Sequence, residues 1–261
     1  VLDPKAEIGT YELGLKNLGY AVFEKIYHEL GIHTFFARHE NRLNIDFNLN
    51  AIFRLLVYSR ILNPGSKKKA YNQQNQFFET MAPSLESVYR SLDYFDHFNL
   101  DLQTWLNEAV KQQYGRDMGY AYYDVTNYYF EIDEEDDLKR VGLSKEKRNS
   151  PIVQMGLFID ANGLPICYKL FSGNTPDTST LIPIVKEMKQ RYGLGRVILT
   201  ADKGLNSGKN LAHLVKRGDG YVVSQKLRGT TSTFIRKVLE EEGYEDNKSG
   251  TFKVKSFLRD R

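Results

Sequence analysis

Two aspartates, Asp124 and Asp202, lie in short apolar segments with the same local pattern. The segments are residues 120–126 and 197–204, and both are rich in aromatic and β-branched side chains. This pattern predicts two buried strands, each with its carboxylate at or near the strand end. Because an unpaired buried carboxylate is costly, the pair predicts one shared site for a divalent metal ion.

The composition is that of an ordinary globular protein. The chain has 261 residues, of which 41% are hydrophobic and 26% are charged, which fits one large domain or two smaller ones. No apolar run approaches the roughly 20 residues of a membrane-spanning helix, and the first residues do not form a secretion signal. The single cysteine, Cys167, excludes a disulfide within the chain, so we expect a reducing, cytoplasmic setting. Since the chain does not begin with Met, we expect it to be a fragment of a longer protein.

Charge is unevenly distributed along the chain. Residues 1–116 carry 13 Lys/Arg and 13 Asp/Glu, whereas residues 138–237 carry 18 Lys/Arg and 6 Asp/Glu. A basic region beside two metal-binding carboxylates would suit a polyanionic substrate. A solvated, lysine-rich surface would give the same counts, and charge alone does not separate the two.

The first part of the chain, residues 1–116, is predicted to be an all-helical domain. Apolar residues recur there at helical spacing, and the stretches break at Gly31, at residues 63–65 and at Gly115. Further helices are expected to begin near Asn48 and Ser84. The first helix is predicted to turn its aliphatic face inward, namely Leu15, Leu18, Val22 and Ile26.

The second part, residues 117–261, has an alternating pattern of strands and helices. Strands are predicted at about 120–131, 152–160, 164–172, 196–202 and 221–224, and Ala161-Asn162-Gly163 predicts a hairpin turn. Helices are predicted between the last three strands. The order β-β-β-α-β-α-β predicts an α/β fold, a mixed sheet with flanking helices.

This order, with an aspartate on the first and fourth strands, resembles the ribonuclease-H-like catalytic core of DDE transposases from bacterial insertion sequences. Several local segments are similar to that family, in particular to the group with a Tyr-Arg-Glu-Lys signature, and the resemblance covers about residues 118–228. They are Tyr123-Asp124-Val125-Thr126, Gly142-Leu143-Ser144-Lys145-Glu146-Lys147-Arg148, Gly163-Leu164-Pro165, Gly173-Asn174-Thr175-Pro176-Asp177 and Ala201-Asp202-Lys203-Gly204.

The resemblance implies a role for each aspartate and a set of partners. Asp124 would bridge two Mg²⁺ ions, for which Mn²⁺ could substitute, and Asp202 would bind one of them. The third acidic ligand would be a glutamate beyond Arg261, because no Tyr-x-x-Arg-x-x-x-Glu spacing follows Asp202; the fragment alone would therefore be an incomplete catalyst. The substrate would be double-stranded DNA at transposon ends and at the target, bound by a homodimer near the bacterial nucleoid. The helical domain of residues 1–116 would take part in DNA binding.

Four basic residues are candidates for contacts with DNA phosphates: Lys145, Lys147, Arg148 and Lys203. The first three are equally well explained by a solvated basic loop, and Lys203 is singled out because it follows a predicted metal ligand. The paired tyrosines of the first strand, Tyr122-Tyr123 and Tyr128-Tyr129, are expected to pack in the core.

Two other functions fit part of the pattern. A DNA-binding or regulatory protein could have kept the fold and lost catalysis, and the missing third carboxylate is the feature that would favour it. A ribonuclease-H-like nuclease would share the metal chemistry, but the helical first domain and the family-like segments argue against it. No Gly-x-x-x-x-Gly-Lys loop is present, which argues against nucleotide hydrolysis.

Overall fold

A computed structural model describes residues 16–77, 83–132, 134–142 and 150–257 of the chain. Helices come first, and they are α1 (Tyr20–Glu29), α2 (Ile32–Glu40), α3 (Leu49–Leu62), α4 (Lys67–Asn72), α5 (Leu85–His97) and α6 (Asn99–Tyr114). Strands and helices follow, namely β1 (Tyr120–Tyr129), β2 (Ile152–Asp160), β3 (Pro165–Ser172), α7 (Asp177–Tyr192), β4 (Ile198–Ala201), α8 (Gly208–Lys216) and β5 (Gly220–Val223). The last elements are α9 (Ser232–Leu239) and the short hairpin β6 (Glu245–Asp246) and β7 (Lys253–Val254).

The helical part is organised around an aromatic and aliphatic core. Phe36, Leu49, Ile52 and Leu55 are fully buried there. The predicted helix starts are confirmed, because the Asn48 side chain accepts a hydrogen bond from the Ala51 N–H at the start of α3 and Ser84 caps α5 in the same way. The spacing of apolar residues in the sequence did not predict helices α2 and α4, which the structure contains.

The inward face predicted for α1 is wrong for the three of its residues that the structure describes, and the fourth, Leu15, lies outside the described residues. Leu18, just before the helix, is 70% exposed, and Val22 and Ile26 on the helix are 64% and 40% exposed. The buried side chains of α1 are Tyr20 and Tyr27, whose rings contact the ring of Tyr58 on α3. The larger aromatic side chains bury more apolar area than the aliphatic ones, so the helix turns them toward the core.

Strands β1 to β5 form one mixed sheet in the order β3-β2-β1-β4-β5. The pairs β3-β2 and β2-β1 are antiparallel, whereas β1-β4 and β4-β5 are parallel. The hairpin predicted at Ala161-Asn162-Gly163 joins β2 to β3, with Gly163 at a φ of 80°. This strand order and the helices inserted between β3, β4 and β5 give the ribonuclease-H-like arrangement that the sequence predicts.

One face of the sheet is covered by α7 and α8. The predicted inward face of α7 is confirmed, since Leu181, Ile184, Val185 and Met188 are all buried. They pack against the alternate side chains of β1 and β4 that point to this face. The opposite face of β1 is exposed at every second residue from Tyr120 to Tyr128.

A buried ion pair joins the segment just before β1 to the end of β2. The Arg116 guanidinium lies 3.7 Å from a carboxylate oxygen of Asp160, and the two side chains are 1% and 0% exposed. Arg116 also donates to the Pro165 carbonyl at 3.0 Å. These contacts tie the segment between α6 and β1 to the β2–β3 hairpin. The division of the chain at residue 117 stays a prediction.

In the part of the chain that the structure describes, every helix is too short or too polar to span a lipid bilayer.

Candidate active site

The sheet register places Asp124 and Asp202 beside each other. The parallel pairing of β1 and β4 runs from Tyr120 opposite Ile198 to Tyr123 opposite Ala201. Asp124 and Asp202 occupy the next position of this register. Since paired strands lie about 4.8 Å apart and equivalent positions point to the same side, both carboxylates project from the same face of the sheet.

Both aspartates are exposed, which corrects the prediction of buried strand carboxylates. Burial alternates along β1, so that Tyr123 and Val125 point into the core while Asp124 points to the open face. Asp124 is also the fifth of ten residues in β1 and not at its end. Asp202 directly follows the last residue of β4, as predicted, and is exposed as well. The cost of burying a charge therefore does not apply here, and the case for a shared site depends on their adjacency.

The two aspartates line one cleft of about 400 Å³ on the open face. Leu157 and Ile159 of β2 form part of its wall, because they pair with Asp124 and Tyr122 across the antiparallel register. Tyr122 is 43% exposed in this cleft and Tyr128, farther along β1, is 46% exposed, so their predicted core positions are wrong, whereas Tyr123 is 2% exposed. The remaining polar side chains of the cleft are Thr126 and Thr200.

Asp202 is held by the turn that follows β4. Residues 203–205 form a single 3₁₀ turn in which the Leu205 N–H donates to the Asp202 carbonyl at 3.0 Å. Leu205 is 3% exposed and anchors this turn in the core. Ser224, at the end of β5, donates to the Asp202 carboxylate at 3.4 Å. The backbone of Asp202 is thus fixed by a buried side chain, while its carboxylate stays at the surface.

Asp124 is positioned by the core packing of its neighbour Tyr123. The Tyr123 hydroxyl donates to the Thr180 hydroxyl on α7 at 2.8 Å. Burial raises the pKa of Tyr123 far above its usual value, so the hydroxyl remains a donor. Gly156 of β2 gives this ring its space, because a Cβ there would lie 2.2 Å from the tyrosine oxygen. The strand that carries Asp124 is therefore locked to α7 from its inner face.

Of the four basic residues predicted to contact DNA phosphates, the structure describes only Lys203. Lys203 is exposed immediately after Asp202. Lys145, Lys147 and Arg148 lie outside the described residues. Sequence reasoning missed Ser224, and no local signal pointed to it, because its contact with Asp202 arises from the pairing of β4 with β5.

The donor set fits a hard divalent cation that keeps part of its water shell. Asp124 and Asp202 supply carboxylate oxygens at an exposed position, and Mg²⁺ prefers oxygen ligands and retains several waters. Among the described residues, no group of three or more His, Cys, Asp or Glu side chains is arranged to hold a metal ion. A third protein ligand is therefore not part of the described arrangement.

No protein-family model and no curated protein sequence matches the chain. Solved structures that it resembles include a piggyBac transposase synaptic complex with hairpin DNA, at 10% identity and a TM-score of 0.41 over 70% of this chain and 44% of that one. A Mos1 transposase paired-end complex with the left transposon end matches at 11% identity and a TM-score of 0.29, over 65% of this chain and 57% of that one. A Mos1 mariner paired-end complex with Mn matches at 10% identity and a TM-score of 0.28, over 73% of this chain and 70% of that one. The chain thus spans about half the length of the first two transposases, and identities and TM-scores this low support no statement about function.

Proposed function

We propose that the chain is the catalytic part of a DDE transposase, which cleaves DNA at the ends of a mobile element and joins the freed 3′-hydroxyl to target DNA. The observation that carries the proposal is the adjacency of Asp124 and Asp202, which project from one sheet face into the same cleft. Carboxylates on neighbouring strands at this spacing can share a metal ion or bridge a pair of ions.

Asp124 and Asp202 would hold the Mg²⁺ or Mn²⁺ ions. Metal bound there would activate an attacking hydroxyl and stabilise the leaving oxygen of the phosphodiester. The chain's own contribution is positional: Ser224 restrains the Asp202 carboxylate, and the Tyr123–Thr180 contact fixes the strand that carries Asp124. The open side of the cleft would admit the phosphodiester.

The finer parts of the proposal concern its biological setting. The family-like segments favour a bacterial insertion-sequence enzyme that acts in the cytoplasm as a homodimer on paired DNA ends. The residues before β1 would form the DNA-binding helical domain. Lys145, Lys147, Arg148 and Lys203 would contact DNA phosphates, and a third carboxylate would come from a glutamate outside this sequence.

The test compares three single substitutions. Asp124→Asn and Asp202→Asn remove one candidate ligand each, whereas Asp93→Asn changes another exposed carboxylate, on α5. Titration with Mn²⁺, followed by electron paramagnetic resonance, should show at least about tenfold weaker binding for the first two proteins and no change for the third. In a longer protein that includes the third carboxylate, nicking of a labelled DNA duplex in Mg²⁺ should be lost after the same two substitutions.

The outcomes also separate the alternatives. Equal Mn²⁺ binding by the parent and by Asp124→Asn would defeat the shared site. Duplex DNA binding without metal binding or nicking would favour the DNA-binding or regulatory protein. Cleavage of the RNA strand of an RNA–DNA hybrid in preference to duplex DNA would favour the ribonuclease-H-like nuclease.

A further inference from the structure

A second cavity lies at the carboxyl ends of β4 and β5, beside Asp202. Its volume is about 340 Å³. We call it the strand-end groove, and the side chains that define it are Lys203, Asn206, Gln225, Lys226 and Arg228. The carboxyl ends of parallel strands are the edge of an α/β sheet at which ligands bind.

The strand-end groove is strongly cationic. Lys203, Lys226 and Arg228 are exposed, and none of them forms an ion pair with a carboxylate among residues 16–77, 83–132, 134–142 and 150–257. The segment 203–237 contains eight Lys/Arg and a single acidic residue, Asp219. Asp219 is fully buried and bonded to Lys189, so it does not offset the charge of the groove. A concave surface with several such cations attracts anions.

The walls of the groove are fixed by hydrogen bonds between two loops. The Asn206 amide donates to the Ser224 carbonyl and to the Gln225 side-chain oxygen, each at 3.0 Å. These bonds join the loop after β4 to the loop after β5. Since Ser224 also donates to Asp202, the groove and the candidate active site share one rigid framework.

The two cavities are lined by consecutive residues. Asp202 lines the cleft that it shares with Asp124, and the next residue, Lys203, lines the groove. Consider a nucleic-acid strand whose reacting phosphate lies at the two aspartates. The phosphates on one side of that phosphate would lie in the groove, and those on the other side would not.

We propose that the strand-end groove binds backbone phosphates of the DNA strand on one side of the phosphodiester that is cut, with Lys226 and Arg228 as the principal contacts. This proposal rests on the proposed function, because it takes DNA as the substrate. It assigns a binding role to two residues that the sequence pattern did not single out. Contacts of this kind fix the position of the strand and carry no sequence information.

The test uses two double substitutions of equal charge. Lys226→Ala with Arg228→Ala removes the two groove cations. Lys216→Ala with Arg217→Ala removes two exposed cations at the end of α8, close to the start of β5 and hence at the opposite edge of the sheet. Binding of a fluorescein-labelled duplex, in Ca²⁺ to prevent cleavage, is measured over a range of salt concentrations.

The expected result follows from counter-ion release. Each lost phosphate contact should reduce the slope of log K against log salt by about 0.9, so the groove variant should lose roughly 1.8 and the control variant should lose nothing. Mn²⁺ binding should be the same in both variants as in the parent. Equal slopes for the groove variant and the parent, or an equal loss in the control variant, would overturn the proposal.

A second measurement tests the predicted direction. Methylphosphonate groups neutralise single phosphates, and they are placed in turn on each side of a nick built into the middle of the duplex, which marks the position of the cut. Binding by the parent should weaken for substitutions on one side only, and this asymmetry should vanish in the groove variant. Equal effects on both sides would refute the one-sided path. If the parent binds DNA with this asymmetry but binds no Mn²⁺ through Asp124 and Asp202, the proposed function fails and the groove assignment stands.

Discussion

Replacing Asp219 by asparagine should destabilise the sheet part of the protein by about 3 kcal/mol. The Lys189 ammonium on α7 bonds to the Asp219 carboxylate, and the two side chains are 8% and 0% exposed. Asp219 also accepts the Val197 N–H at 3.1 Å, just before β4. Removing one partner of a buried ion pair costs roughly 3–5 kcal/mol because the other charge is left unpaired. The lower end applies, since asparagine keeps an acceptor for Val197.

The assay is urea unfolding followed by far-UV circular dichroism. With a slope of about 2.5 kcal/mol per molar, a loss of 3 kcal/mol moves the midpoint down by roughly 1.2 M. Hydrogen exchange of the β4 and β5 amides should accelerate by about a hundredfold, because every 1.4 kcal/mol is a factor of ten. Trp105, the only tryptophan, belongs to the helical core, so its fluorescence follows that part separately.

A double substitution distinguishes an unpaired charge from a simple loss of packing. Lys189→Met combined with Asp219→Asn removes both charges, and its stability should return to within about 1 kcal/mol of the parent. A double variant no more stable than Asp219→Asn alone would refute this reasoning, as would a midpoint shift below about 0.3 M for the single variant.

Two further predictions concern single side chains. Gly173→Ala should lower the free energy of unfolding by about 3 kcal/mol, because its Cβ would lie 2.1 Å from the Ile152 carbonyl oxygen and 2.3 Å from the Arg140 carbonyl oxygen. Gly163→Ala should cost only about 1 kcal/mol, because Gly163 has a φ of 80° but open space around it. Thermal unfolding compares the two variants, and equal losses would contradict the contact argument. Burial raises the pKa of the Cys167 thiol to about 12, so the thiol stays protonated at pH 8. It should therefore react with a disulfide reagent only after the protein is unfolded in urea. Rapid reaction of the native protein would contradict the prediction that this thiol is buried and protonated.

The sequence predicted the sheet better than the helical part, and the reason is local. Asn162-Gly163 and the apolar spacing of Leu181 to Met188 are signals within one turn or one helix, and both are confirmed. The inward face of α1 was mispredicted because two apolar stripes, one aliphatic and one aromatic, run along the same segment. Only the contact of Tyr20 and Tyr27 with α3 decides between them.

The candidate site was predicted in part. The positions of Asp124 and Asp202 came from the sequence, but their exposure did not, because alternation along a strand does not reveal which face a helix covers. Ser224, Lys226 and Arg228 were missed for a different reason. The contact of Ser224 with Asp202, and the place of Lys226 and Arg228 in the groove that begins at Lys203, arise from the parallel pairing of β4 with β5, which no spacing within the sequence encodes.

Side chains of β1 alternate between the buried and the exposed face of the sheet, and the two sets have different roles. Tyr123 and Val125 secure the fold from within, while Asp124 and Thr126 face solvent and contribute nothing to that packing. A substitution at an outer position can therefore alter the exposed surface of the strand without disturbing its packing. The outer positions are free to diverge while the inner ones keep the fold, so the surface and the scaffold can evolve separately.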